Sequence, residues 1–232
     1  MSMVGDPSKH DTKFDMENYE EFYEHHNFEP IPEKLCTSVN EVIPRFGWAF
    51  DKIEELEAKT LLDIGCLDGS FALTVGYQLG LDVTGVDLTQ EGIDIAKQRA
   101  KAFNVRADFH QGTVEDWLAK FAEEGRKFEV ITFFEIIEHV KDVKLCLDLI
   151  DKVLAPGGSV LVSTPDFESP LYGADDEVNK CHIRLYTTAD EDYERPNKFG
   201  TVRKATSITK EIGKDRVIEM GVYSELINVH YK

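Results

Sequence analysis

The sequence predicts an α/β protein built on a doubly wound, mostly parallel sheet, and three features carry that expectation. Between Thr60 and Thr164, apolar runs of strand length alternate with segments of helical period, as in successive βαβ units. The first such run leads into a bend with two glycines, Asp63-Ile64-Gly65-Cys66-Leu67-Asp68-Gly69-Ser70, and then an apolar helix, Phe71 to Leu79. The second run ends in an acidic residue, Asp87, about twenty residues past the bend.

In chain order, residues 1–59 are acidic and aromatic (Tyr19, Phe22, Tyr23, Phe28, Trp48, Phe50) and read as two or three helices forming a cover or lid over one end of the sheet. His25 and His26 read as surface or lid residues of that cover. Residues 60–232 read as one globular unit. Its strands are expected at Thr60 to Ile64, Asp82 to Val86, Arg106 to His110, Phe128 to Phe134 and Ser159 to Thr164. The first, fourth and fifth are almost continuously apolar, as parallel strands covered on both faces must be. Ile93, Ala96, Ala100 and Phe103 form one helical stripe with Thr89 as its N-cap, and Val143, Cys146, Ile150 and Val153 form another ahead of the stop Ala155-Pro156-Gly157-Gly158. After Thr164 the pattern loosens into a polar stretch in which 166–198 reads as an insertion. The chain closes with Arg216 to Val222 and Leu226 to Tyr231, read as an antiparallel hairpin. That ending separates it from a plain dinucleotide-binding fold.

Acidic residues outnumber basic ones 44 to 26, and a net charge of −18 repels phosphate backbones, which disfavours a nucleic-acid substrate. The basic segment Arg195 to Arg216 reads as a solvated loop and helix face. No apolar window is long enough to cross a membrane, and the polar, acidic start from Met1 to Asp15 lacks the layout of a signal peptide, so a cytoplasmic location is expected. Cys36, Cys66, Cys146 and Cys181 lie far apart with no CxxC pair, which suggests neither a disulfide framework nor structural zinc. A small-molecule acceptor is the expected partner, and a homodimer is compatible with these features.

The bend and Asp87 together point to an adenosine-containing cofactor, because glycines let backbone approach a ligand and a strand-end carboxylate accepts hydrogen bonds from ribose hydroxyls. A pyrophosphate needs GxGxxG; here the middle position is Leu67, and Asp63 and Asp68 flank the site. An acidic bend suits instead the sulfonium and ammonium of S-adenosylmethionine.

Asp63-x-Gly65-x-x-x-Gly69 resembles the first motif of class I S-adenosylmethionine-dependent methyltransferases, with Leu67 where many members have glycine. The other motifs follow in order: Asp87; Gln111-Gly112-Thr113-Val114-Glu115-Asp116; Phe133-Phe134-Glu135-Ile136-Ile137-Glu138-His139-Val140; and Leu154-Ala155-Pro156-Gly157-Gly158-Ser159. The resemblance spans Thr60 to Pro165 and implies a Rossmann-like seven-stranded sheet in the order 3-2-1-4-5-7-6. It further implies that Asp63, Gly65, Leu67 and Gly69 hold the methionyl part and Asp87 the ribose. Leu88 would pack on the adenine, Thr113, Val114 and Glu115 would read its edge, and Phe134 would line the pocket by the sulfonium. S-adenosylhomocysteine would be the product.

Glu135, Glu138 and His139 follow the fourth strand and are the candidate catalytic group, sharing one face if the segment is helical. His139 suits a general base, since an imidazole titrates near neutrality. The Glu-x-x-Glu-His pattern is similar to that of the ubiquinone-pathway O-methyltransferases and small-RNA 2′-O-methyltransferases. This likeness implies a Mg²⁺ or Mn²⁺ ion on Glu135, Glu138 and His139, with His182 as a fourth ligand. The alternative is that Glu138 and His139 cap the turn or bind substrate without metal. O-methylation of a sugar or phenolic hydroxyl is the leading expectation. The other readings are an N-methyltransferase, a non-catalytic cofactor-binding regulator and an NAD-dependent enzyme.

Overall fold

The computed structural model describes residues 44–165 and the backbone of two further strands, 201–204 and 217–223. Five strands, β1 (Thr60–Ile64), β2 (Asp82–Asp87), β3 (Ala107–Gln111), β4 (Phe128–Phe134) and β5 (Leu154–Pro165), pair in parallel in the order β3-β2-β1-β4-β5. Helices α1 (Pro44–Glu55), α2 (Ser70–Leu79), α3 (Gln90–Phe103), α4 (Val114–Glu123) and α5 (Val143–Val153) cover both faces. One face buries Leu62, Ile64, Ile131 and Phe133 under α4 and α5; the other buries Leu61, Val83, Phe109 and Val130 under α1, α2 and α3. This is the doubly wound α/β arrangement that the alternating pattern predicts.

The local causes are legible helix by helix. Pro44 occupies the first position of α1, where its missing N–H costs nothing. The stripe on α3 is buried at Ile93, Ala96 and Ala100, but it also buries Arg99. The Thr113 hydroxyl caps α4 by accepting from the Asp116 N–H at 3.2 Å, and the Asp142 carboxylate caps α5 by accepting from the Leu145 N–H at 2.9 Å. Each fully buried Phe or Ile on these faces stabilises docking by roughly 1.5–3 kcal/mol, and Phe121, Phe133, Ile93 and Ile131 are among them.

Several expectations need correction. β3 is shifted by one residue from Arg106–His110. β5 starts at once where α5 ends, because Leu154 is already extended; the Ala155-Pro156-Gly157-Gly158 stop is a register irregularity inside the strand, between the pairs Phe128↔Leu154 and Val130↔Ser159. Of the expected terminal hairpin only the first strand is described, as β7 (Val217–Tyr223), which runs parallel to β5 and pairs antiparallel with β6 (Thr201–Lys204); 226–231 lie outside the described residues. Of the N-terminal cover only 44–59 are described, where Trp48, Ala49 and Ile53 are buried. The insertion 166–198, with His182, and Cys36 and Cys181 also lie outside. Among the described residues no helix is long and apolar enough to cross a membrane.

Candidate cofactor and active site

Strand order reverses between β1 and β4, so the carboxyl ends of β1, β2 and β4 border the crevice where open α/β sheets bind ligands. The bend after β1 lies there. Its first two amides, Gly65 and Cys66, both donate to the Val86 carbonyl, at 2.8 and 3.1 Å, which ties the start of the bend to β2. Gly65 has φ +75° and Gly69 φ +70°, backbone that residues with a Cβ adopt only at a cost. A Cβ on Gly65 would lie 2.2 Å from Ile136 Cδ1, so this glycine also admits the side chain that follows β4.

Leu67, where the sequence lacks a glycine, has φ +49°. The position keeps the left-handed conformation that glycine adopts freely, and Asp87 holds it there: Leu67 N–H donates to Asp87 Oδ2 at 2.8 Å. Asp87 Oδ1 accepts from the Thr89 N–H at 2.8 Å and the Thr89 hydroxyl at 2.6 Å. Thr89 therefore spends its hydroxyl on Asp87 and makes no side-chain cap on α3. A carboxylate has about four lone-pair sites, so Asp87 retains acceptor capacity on Oδ2 while already organising the bend.

The electrostatic picture differs from the sequence expectation at Asp68. Its carboxylate is paired with the buried Arg99, Nη1 to Oδ2 2.7 Å, so it does not add a free negative charge to the bend. Asp63 is 4% exposed and accepts from the Thr132 hydroxyl at 2.6 Å across the β1–β4 register. Burial pushes the Cys66 thiol well above its ordinary pKa, and the carboxylates of Asp63, Asp87 and Asp68 add to the rise, so the thiol stays protonated. Cys66 and Cys146 are free and buried.

Among the residues expected beside the adenine, Leu88 is half-buried and its carbonyl accepts from Gln111 Nε2 at 2.9 Å; Thr113 caps α4, which Val114 and Glu115 open. Trp117 lies over Gly112, donates to the Gln111 carbonyl at 3.0 Å and stacks on His110 with ring centroids 4.0 Å apart. Phe134, 8% exposed, meets Phe71 edge-on at 5.4 Å and joins an aromatic group with Phe46.

The segment after β4 is not a helix. Glu135 takes φ +55° and returns to β5 through its N–H to the Ser163 carbonyl at 2.9 Å, and an isolated turn follows, His139 N–H to Ile136 carbonyl 2.9 Å. The two carboxylates face β5 hydroxyls: Ser163 donates to Glu135 Oε1 at 2.7 Å and Thr164 to Glu138 Oε2 at 3.1 Å, with Glu138 only 1% exposed. Among the described residues no three of His, Cys, Asp and Glu are grouped to hold a metal ion. Glu135, Glu138 and His139 are in no such group, and the expected fourth ligand, His182, lies outside the described residues. Sequence reading missed Arg99, Thr132, Ser163, Thr164 and Ile136. A charge on the apolar stripe of α3 and hydroxyls inside apolar strands are the signals that pointed to the first four.

The acceptor capacity of Asp87, the left-handed bend and the buried Asp63 suit an adenosyl ligand with a cationic methionyl end. The guanidinium that reaches the bend is committed to Asp68 and Ser70, which leaves it unavailable to a pyrophosphate. Residues 23–209 match the family model described as a methyltransferase domain. A ubiquinone biosynthesis O-methyltransferase of Bartonella tribocorum is 36% identical over 144 residues, 60% of this chain and 53% of that protein. Its counterpart in Rhizobium etli is 33% identical over 139 residues, again 60% and 53%. The chain thus spans about half the length of these curated relatives. Among solved structures, the YcgJ protein of Bacillus subtilis superposes with a TM-score of 0.49 at 23% identity, covering 73% of this chain and 77% of that one. The chain belongs to the methyltransferase-domain family, which is S-adenosylmethionine-dependent.

Proposed function

We propose that this protein transfers the methyl group of S-adenosylmethionine to a hydroxyl of a small molecule, of phenolic, quinol or sugar type. The observation that carries the reading is the Asp87–Leu67 contact: one carboxylate fixes the left-handed bend and keeps room for a further donor at the strand-order switch. The O-acceptor is supported by the relatives named ubiquinone biosynthesis O-methyltransferases.

S-adenosylmethionine supplies an electrophilic methyl group on a sulfonium. In this reading Gly65 and Gly69 give backbone access, Asp63 balances the methionyl ammonium, Asp87 accepts a ribose hydroxyl, Leu88 and the Thr113–Glu115 turn border the adenine, and Phe134 bounds the methyl end. Holding acceptor and methyl in line in a water-poor pocket supplies most of the acceleration. His139 accepts the acceptor's proton on its ring, and Glu138 and Glu135, tethered to Thr164 and Ser163, border the acceptor. The placement of β7 beside β5, with β6 paired outside it, supports the seven-stranded order 3-2-1-4-5-7-6.

Calorimetric titration with S-adenosylhomocysteine and with NAD tests the donor. Binding of the former alone is expected, whereas binding of NAD alone refutes the reading. Turnover of labelled S-adenosylmethionine against phenolic, sugar and amine acceptors tests the acceptor. Labelling confined to amines refutes O-transfer.

A further inference from the structure

A buried cation beside the bend is unused by either half of that reaction. Arg99 is 5% exposed and lies on the inward stripe of α3, among Gly92, Ile93, Ala96 and Ala100. None of those neighbours calls for a guanidinium, and an unpaired buried charge is strongly unfavourable. Its partners all belong to the bend: Nη1 donates to Ser70 Oγ at 2.6 Å and to the Asp68 carbonyl at 3.2 Å, and it pairs with Asp68 Oδ2 at 2.7 Å. Asp68 Oδ1 accepts in turn from the Ser70 N–H at 3.0 Å, closing a ring of contacts around Gly69, whose φ is +70°. Ala96, one turn earlier on α3, would lie 3.0 Å from a Cβ on Gly69, so α3 also backs the bend sterically.

We propose that Arg99 is a positioning residue for the methyl donor. It holds Asp68–Ser70 in shape before the ligand arrives, and it cancels the Asp68 charge so that this carboxylate adds little to the field the ligand meets. This inference rests on the reading that the bend holds S-adenosylmethionine. A preformed bend spares ordering on binding. A cancelled Asp68 charge fixes how strongly the pocket prefers the cationic donor over its neutral product, since an added negative charge favours the cation alone.

The test titrates full-chain Arg99→Met, Arg99→Lys, Asp68→Asn/Arg99→Met and Asp87→Ala with S-adenosylhomocysteine and S-adenosylmethionine. Arg99→Met is expected to weaken the homocysteine ligand about tenfold, and the cationic donor less, so that the donor-over-product preference rises about threefold. Arg99→Lys keeps the charge and loses the fork, so affinity falls part of the way with the wild-type preference retained. The double variant weakens both ligands and restores the wild-type preference. Equal weakening of both ligands in Arg99→Met, or wild-type affinity in Arg99→Lys, overturns the proposal. If Arg99→Met does not fold, Arg99→Lys and the double variant decide it on the same criteria. Asp87→Ala separates the two levels: wild-type binding there removes the cofactor reading itself, whereas loss there with unchanged Arg99 variants removes only the role of Arg99.

Discussion

Asn in place of Asp87 changes almost no volume, yet the hydrogen bonds around that side chain make it a severe change. The carboxylate receives Leu67 N–H on Oδ2 at 2.8 Å, and Thr89 N–H and hydroxyl on Oδ1 at 2.8 and 2.6 Å. An amide offers one oxygen and one NH₂, so in either orientation a backbone N–H meets another donor. Keeping the two Thr89 bonds turns the NH₂ against Leu67, whose left-handed backbone then loses its anchor. An unmade buried donor costs about 1–3 kcal/mol, and because Asp87 is only half-buried the lower part, about 1–2 kcal/mol, applies. A charge-assisted bond to the ribose contributes about 1.5–3 kcal/mol more when bound. Allowing for overlap between the two, affinity is expected to fall by about 2–4 kcal/mol, roughly 30- to 700-fold. Calorimetry with S-adenosylhomocysteine reads the affinity and urea denaturation reads the stability of the free protein. Wild-type affinity within about twofold, together with unchanged stability, would refute the reasoning.

Gly65→Ala is expected to destabilise by about 1.5–3.5 kcal/mol, from the left-handed backbone (about 1–2 kcal/mol) and a forced rotamer of Ile136, whose Cδ1 would lie 2.2 Å from the new Cβ. Urea denaturation should show a smaller loss when the substitution is made in an Ile136→Ala background, and an equal loss would assign the whole cost to the backbone. Thr132→Val removes the 2.6 Å donor to the buried Asp63 and should cost about 1.5–3 kcal/mol; a stability unchanged by denaturation would show that Asp63 does not need it. His110 gives a pH signature. Burial lowers its pKa, more than Asp108 raises it, so between the folded and unfolded values the unfolded chain binds more protons. The imidazole's contribution is complete above about pH 6.5 and is lost as pH falls below that. The stability difference between wild type and His110→Gln should therefore shrink from pH 7.5 to 5, as checked by denaturation across that range, and a growing difference would mean the Asp108 pairing outweighs burial. Burial also raises the Cys146 thiol to about 12 and the Cys66 thiol well above its ordinary value. Peptide mapping after native alkylation at pH 8 should find both unmodified, and labelling of either would contradict their burial.

The family motifs were legible in the chain because each rests on a local demand: a tight bend needs glycine, a ribose needs a carboxylate at a strand end, and buried parallel strands need unbroken apolar runs. Asp63, Gly65, Gly69, Asp87 and Phe134 accordingly all lie along the carboxyl edge of the sheet. Glu135, Glu138 and His139 were legible as a group but not in shape, since an i, i+3, i+4 spacing implies a shared face only in a helix, and Glu135 breaks that geometry with φ +55°.

Length, charge, alternating period and motif order settle by themselves the α/β class and the five parallel strands, because those are properties of neighbours along the chain. Which carboxylates are free to act is a different kind of question. Arg99 reaches Asp68 across 31 positions, Thr132 reaches Asp63 across 69 and Ser163 reaches Glu135 across 28. Such pairings exist only once strands and helices are packed, since a charge is cancelled or held in place by whatever lies within a few ångströms of it, however distant in sequence.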